Sequence, residues 1–495
     1  MLMQPIIRPM ITFGPCLKQI LQKRNISASE LARMMEYKSR NSIFRILDDE
    51  GGDGTRQALY DRLMEDDLLN LTRQEQLELT QALEISRVGL VAFLNNRAMR
   101  ELLMDVSMEE AAAEICLIQA DGRREPIDRL FEYGDELLEL NVTITGCCDR
   151  QVCAKMSHSL NGLTVRTSIA HFVYTGEEEI IRNLSAIQPL LYRTDYMAYA
   201  VEPGMFSREK QRLYRNNMIY VQAKTIKGER LECAYIMVDK GCFFPIKRRS
   251  TGPLSRLNAL VCKDIGQMRA LKMNANADHV DYLAYTEECM KLEQSRAVYM
   301  IKRDVPISYV PSEILACCVM ESAMREGIAG SQEIVQMLEQ LKCVHDQRFE
   351  NFFDKRKPTY TVFSLEAMER FAQTGTQSDH FFAFRPYTVQ ERVCILTHLR
   401  EQAEHNPSFH VRFFKAEYEA PPMEIALYEG AGTLMAKPNT NYNLKGDHTE
   451  TLITQESFCQ CYKTYFLKDL MKRQVMDRQH TLQALDCLIE MAKRA

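Results

Sequence analysis

Apolar residues recur at helical spacing through the first hundred residues, and the period then changes. Leu17, Ile20 and Leu21 form one stripe behind Gly14-Pro15, where a proline in the first turn sacrifices no hydrogen bond, and predict a helix to about Arg24. Asn25-Ile26 breaks it. Ser27-Ala28-Ser29-Glu30 reads as a capping box, in which the serine hydroxyl and the glutamate carboxylate satisfy each other's backbone amides, with Ile26 and Leu31 placed to staple the start. A second helix follows from Ala28 to about Glu36, presenting Leu31, Met34 and Met35 inward. Tyr37-Lys38 turns the chain, and Ser39 starts a third helix, Arg40 to Leu47. Its apolar face is Ile43, Ile46 and Leu47, which leaves Arg40, Asn41, Ser42 and Arg45 on and near the exposed N-terminal end. Gly51-Gly52-Asp53-Gly54 reads as a flexible turn. Leu71-Thr72-Arg73-Gln74-Glu75 is a second capping box, opening a helix with Leu79, Leu83, Leu90 and Leu94 as far as about Met104. Those residues serve either the core of this region or a dimer contact.

From about residue 110 strand-like runs alternate with helical ones. Ile115–Ile118, Val142–Thr145 and Val165–Phe172 read as strands, with helices over Pro126–Leu140 and Cys153–Leu160. The rhythm returns as strands at Tyr360–Phe363, Phe381–Phe384, Phe409–Phe414 and Ile425–Leu427, helices at Leu365–Ala372 and Val389–His405, and a capped helical region after Thr454. Alternation of this kind implies βαβ units around a parallel sheet. Asp121–Pro126 is then a βα loop, a place where such sheets often bind ligands, and equally a plain surface turn. The fold class is multidomain: an all-α N-terminal domain (1–104), then a large α/β region laid out as two halves, 105–310 and 311–495, the second opening on a helical connection from about Pro311 to Phe353. No identity at a fixed period establishes a duplication.

Composition narrows the class. The 495 residues exceed one ordinary core, and 46% hydrophobic with 26% charged residues is a globular balance. No segment offers the roughly 18 uninterrupted apolar residues of a membrane span. Pro5, Pro9 and Pro15 interrupt the apolar N-terminus, so a cytoplasmic location is expected. Sixteen scattered cysteines suit buried, reduced thiols. Net charge is −5, so a nucleic-acid surface has to be local. Residues 1 to 47 supply one candidate, with eight Lys/Arg against two acids.

Two short helices joined by a tight turn, the second with a polar cationic start, meet the demands of major-groove reading: arginine pairs with guanine, asparagine with adenine, and Ser, Lys and the helix N-terminus hold phosphate. Any three-helix bundle with a solvated polar face meets the pattern equally. Residues 17 to 47, LKQILQKRNISASELARMMEYKSRNSIFRIL, resemble the Cro and lambda-repressor-like helix-turn-helix family in the Ser-x-x-Glu-Leu-Ala entry and the Ser/Arg-rich residues before Ile-x-x-Ile. Glu36 or Tyr37 stands where that family has its turn glycine. The resemblance covers about a tenth of the chain. It implies a bacterial, repressor-type transcription regulator that binds double-stranded DNA as a homodimer through Lys38, Ser39, Arg40, Asn41, Ser42 and Arg45, with Lys18, Lys23 and Arg24 on phosphates. The α/β region would then sense a small-molecule or peptide effector, bind a partner or set the oligomeric state.

The alternative is an enzyme, with phosphodiesters as one substrate class, carrying the helical region as a targeting module. No catalytic signature supports it. Phospholipase-D-like chemistry needs a histidine nucleophile and a lysine two residues on, and His410-Val411-Arg412 lacks the lysine. There is no phosphate loop, nucleophile elbow or His-Glu-x-x-His. Gly430-Ala431-Gly432 before Lys437 reads as a hairpin turn. Cys147-Cys148 with Cys153, and Cys459-x-Cys461, lack paired zinc knuckles, so burial is expected and redox sensing at Cys147 and Cys148 is the other reading. Lys247-Arg248-Arg249-Ser250 reads as a solvated loop or a phosphate contact, and His380–Phe384 as core. No cofactor, metal or catalytic residue is assigned.

Overall fold

The computed structural model describes the chain apart from residues 1–10, 37–39, 66–68, 105–114, 120, 128–136, 162, 164, 177–178, 192, 194, 240, 249–252, 272, 276–286, 288, 295, 326–331, 378–384 and 437–447. The chain divides into two compact units, Met1–Ala98 and Met99–Ala495.

The smaller unit is helical among its described residues: α1 (Phe13–Lys23), α2 (Ala28–Met34), α3 (Arg40–Leu47), α4 (Asp53–Glu65), α5 (Arg73–Val88) and the start of α6 (Leu90–Leu103). Both capping boxes form. Glu30 N–H donates to Ser27 Oγ at 3.1 Å while Ser27 N–H donates to Glu30 Oε2 at 2.7 Å, and Thr72 and Glu75 repeat the exchange. Phe13, Leu17, Ile20, Leu31, Met35, Ile43, Ile46, Leu59 and Leu79 share one core. Gly14 lets α1 press on the end of α3: a Cβ there would lie 2.3 Å from the Ile46 carbonyl oxygen. Two expectations are corrected. The long helix to Met104 is broken at Gly89, whose φ of +84° no apolar periodicity announces. Asp53-Gly54 is the first turn of α4 rather than a flexible link.

The larger unit holds two mixed sheets. The first has nine strands in the order β2-β1-β8-β7-β6-β3-β4-β5-β9, with β1 Ile115–Ile118, β2 Arg124–Ile127, β3 Leu137–Thr145, β4 Arg166–Tyr174, β5 Tyr196–Val201, β6 Met218–Thr225, β7 Arg230–Asp239, β8 Cys242–Arg248 and β9 Arg269–Ala270. Helices α7 (Arg150–Asn161), α8 (Ile180–Leu191) and α9 (Arg208–Arg215) connect β3, β4, β5 and β6, and α10 (Pro253–Cys262) follows β8. The second sheet has seven strands in the order β10-β16-β15-β14-β11-β12-β13, with β10 Met273–Ala275, β11 Val298–Lys302, β12 Thr359–Phe363, β13 Phe409–Phe413, β14 Glu424–Tyr428, β15 Gly432–Ala436 and β16 His448–Ile453. Its helices are α11 (Ser312–Arg325), α12 (Gln332–Phe353), α13 (Leu365–Thr374), α14 (Val389–His405), α15 (Glu456–Tyr465), a π-helix (Phe466–Gln474) and α16 (Arg478–Arg494).

Six strands repeat between the sheets. The order β8-β7-β6-β3-β4-β5 becomes β16-β15-β14-β11-β12-β13, the last three of each set parallel and the others antiparallel to their neighbours. Two α/β halves are therefore present, and their sheets are mixed rather than parallel. The helix expected over Pro126–Leu140 is corrected: Arg124–Ile127 pairs antiparallel with β1, and Leu137 opens β3. Asp121–Pro126 is accordingly the turn and return strand of a hairpin, with Gly122 at φ +83°. Apolar residues in LLELNVTIT fit either period, and the β-branched Val142, Thr143, Ile144 and Thr145 favour the strand. Helix α15 follows Thr454 as expected, with Gln455 at its N-cap making no side-chain bond. Phe381–Phe384, expected as a strand, lies outside the described residues.

Candidate functional site

The first sheet reverses its order at β3: β4 and β5 extend it one way, and the chain then returns through α9 to lay β6 on the other side. In open α/β sheets such a reversal leaves a crevice beyond the carboxyl ends of the strands. A cavity of about 470 Å³ lies there, lined by Gly146, Cys148, Asp149, Tyr174, Glu179, Asn183, Arg215, Asn217, Met237, Val238 and Asp239.

The turn leaving β3 is built from backbone upward. Gly146 takes φ +60°, and a Cβ there would lie 2.7 Å from Asn217 Oδ1 and 2.9 Å from the Arg215 carbonyl oxygen. Cys147, at φ +42°, is a non-glycine residue in the left-handed region, a strained placement of the kind concentrated at functional turns. The surroundings hold it there. Cys147 N–H donates to Asn217 Oδ1 at 2.7 Å, and Thr145 Oγ1 donates to the Asn216 carbonyl at 2.7 Å.

Beneath the turn lies His171, fully buried on β4. Its Nε2 is 2.8 Å from the Gly146 carbonyl, which can only accept, so Nε2 carries the proton and Nδ1 accepts from the Tyr196 hydroxyl at 2.9 Å. Burial holds the imidazole pKa down at about 4, so the ring is a neutral floor. Cys148 Sγ also donates to Gly146 O, at 3.1 Å, and Cys153 Sγ to Cys147 O, at 3.6 Å. Burial pushes all three thiols upward, which keeps them protonated. Among the described residues no group of three or more His, Cys, Asp or Glu is placed to hold a metal.

Charge enters from the rim. Asp149 Oδ1 accepts from the Gln151 and Val152 amides at 3.0 and 3.2 Å and so caps α7. Asp239, at the end of β7, lies 3.5 Å from Arg124. Arg215 sets its guanidinium carbon 3.8 Å over the Tyr174 ring and reaches Glu179 at 3.9 Å. The lining thus holds three carboxylates against one guanidinium. None of these residues was assigned from sequence. The signals that could have found them are the glycine closing the run Val142–Thr145, where the chain leaves a strand, and the Val-Asp-Lys-Gly hairpin after β7.

The residues expected to meet DNA fare unevenly. Lys38 and Ser39 lie outside the described residues, as does the Arg40 side chain. Asn41 and Arg45 are exposed on α3, Ser42 is half-buried, Lys23 is exposed, and Lys18 lies 3.7 Å from Asp48. Arg24 is corrected. It gives two bonds to Glu75, at 2.7 and 2.6 Å, and a third to the Leu69 carbonyl, and this pairing holds the Glu75 carboxyl down at about 2. Such a guanidinium is committed to the fold. Phe44 stands 46% exposed on the same helix, and Asp48, Asp49 and Glu50 follow it, so the α3 surface is less cationic than its sequence start implied.

Elsewhere, Gly430-Ala431-Gly432 does turn the hairpin between β14 and β15, and His410 stacks on Tyr360 with centroids 4.4 Å apart on β13 and β12. The side chains of Lys247–Ser250 and His380–Phe384 are outside the described residues.

No family model matches the chain, and no curated protein does. Among solved structures, a crystal structure of phosphatidylserine synthase from Haemophilus influenzae Rd KW20 is 8% identical, over 82% of this chain and 92% of that one, with a TM-score of 0.25. A TM-score so low carries neither fold nor chemistry to this protein. The expectation of a sequence-specific transcription regulator is nevertheless withdrawn. Arg24, one of its expected phosphate contacts, is bound to Glu75 inside the helical unit, and the acids Asp48, Asp49 and Glu50 follow α3.

Proposed function

We propose that the protein is an enzyme whose active site is the crevice beyond β3, β4 and β7, acting on a small polar substrate, and that the helical unit is a targeting module. The observation that carries this is the convergence of Asp149, Glu179, Asp239 and Arg215 with the amides of Asn183 and Asn217 in a cavity of substrate size at the point of strand reversal. Glu179 and Asp239 are the residues placed for acid–base work, because Asp149 is engaged as a helix cap. Three carboxylates repel a phosphodiester, so that substrate class is the less suited one.

Fluorimetric melting of the full chain against small polar metabolites, with each hit followed by NMR for turnover, tests the reading. A compound consumed by the wild type and left intact by Glu179→Gln or Asp239→Asn is the expected result. Hits that bind and remain unchanged would remove the enzymatic claim.

A further inference from the structure

Gly176 leaves room for the Tyr174 ring, since a Cβ there would be 2.7 Å from the ring carbon Cε1, and Asn183 Nδ2 donates to the Tyr174 backbone carbonyl at 2.7 Å. Tyr174 lines the crevice, and over its ring lies the protein's own Arg215 guanidinium, 3.8 Å away, with Glu179 in the same lining. An aromatic face flanked by a carboxylate is a seat for a planar or quaternary cation, because the ring quadrupole and the anion act on the same charge. Arg215 fills that seat loosely. Its distance to Glu179, 3.9 Å, exceeds a hydrogen bond, and its side chain is half exposed at the end of α9. With Asp149 and Asp239 in the same lining, carboxylates outnumber the guanidinium there by three to one.

We propose that the ligand of this crevice carries a guanidinium or comparable cation that sits on Tyr174 against Glu179, and that Arg215 is a built-in competitor which swings out when the ligand enters. The inference rests on the crevice being the ligand site, as in the reading above, but not on turnover. It inverts the ordinary expectation for a pocket arginine, which is to anchor an anion.

The test is calorimetric titration of the full chain with agmatine as the guanidinium probe, putrescine as an ammonium comparison and inorganic phosphate as the anion. Agmatine should bind, and Arg215→Ala should tighten it about fivefold to tenfold by vacating the seat, whereas Glu179→Gln and Tyr174→Leu should each weaken it about tenfold. Melting curves of each variant separate lost binding from lost folding. Phosphate binding that vanishes in Arg215→Ala, or agmatine binding to neither the wild type nor that variant, overturns the proposal. Agmatine binding without any turnover in the metabolite screen leaves it standing and removes the enzymatic reading alone.

Discussion

The two sheets of the larger unit share a scaffold and differ at its most useful point. In the first, Thr145 ends the central strand opposite Phe172 and Met218, and the next residue is Gly146, whose turn opens onto the crevice. In the second, Lys302 ends the central strand opposite Phe363, and its ammonium lies 2.5 Å from Glu424 Oε2. Glu424 also accepts from the Arg303 amide at 3.1 Å, doing for this turn what Asn217 does for the other. Both turns are therefore stitched by a side chain from the antiparallel neighbour. The first stitch is a neutral amide over a glycine, which leaves room. The second is half of a largely buried ion pair, which sets a charged pair where the first sheet has a glycine.

The largest expected effect lies in the second sheet. Removing one partner of a buried ion pair strands the other charge, so Glu424→Ala should cost about 3–5 kcal/mol in denaturant melts, while the paired change Lys302→Met with Glu424→Leu should cost much less. If the single and double variants melt alike, Glu424 acts through the turn and not through charge.

Acid should strike both halves. His171, and His345 on α12 with Nε2 2.8 Å from the Val310 carbonyl, are each held by burial at about 4. A histidine depressed in the folded state binds its proton more readily when unfolded. Stability is thus complete above about pH 6.5 and falls as pH drops towards 4, by up to about 3 kcal/mol for each residue. Melts between pH 7 and 4 read the sum, and NMR titration of the two imidazoles assigns it. Rings that titrate near 6.5 in the folded protein would refute the neutral floor under the first turn.

Smaller again is Gly146→Ala, at about 1–3 kcal/mol, because the methyl meets Asn217 and the left-handed backbone resists a side chain. Ligand binding should suffer more than stability. Equal losses in both would mean that the turn serves folding alone.

What the sequence disclosed follows from what each feature depends on. Helices with local punctuation were legible almost to the residue: Ser27 with Glu30 and Thr72 with Glu75 form their predicted boxes, and α3 and α14 have their expected bounds. Strands were recognisable where β-branched residues cluster, as at Val142–Thr145, and mistaken where a Pro-containing hairpin mimicked a helix start at Pro126. The crevice was not legible. Asp149, Tyr174, Glu179, Arg215 and Asp239 stand on four separate stretches of chain, and only the order of the strands brings them together. Arg24 shows the converse, since a cation counted as a DNA contact by its position finds Glu75 fifty-one residues on.

The pairings that close the second sheet also impose a schedule on synthesis. Ala275 of β10 pairs with His448 of β16, and Arg100 reaches Asp469, 369 residues further along. At ribosomal speeds the first of these partners emerges roughly 10 to 35 s after β10 has left the exit tunnel. Completion of the second sheet thus waits on the synthesis of β16, long after β10 is available. An interrupted or slowed message would release a first half with its crevice already built and a second half still awaiting its edge.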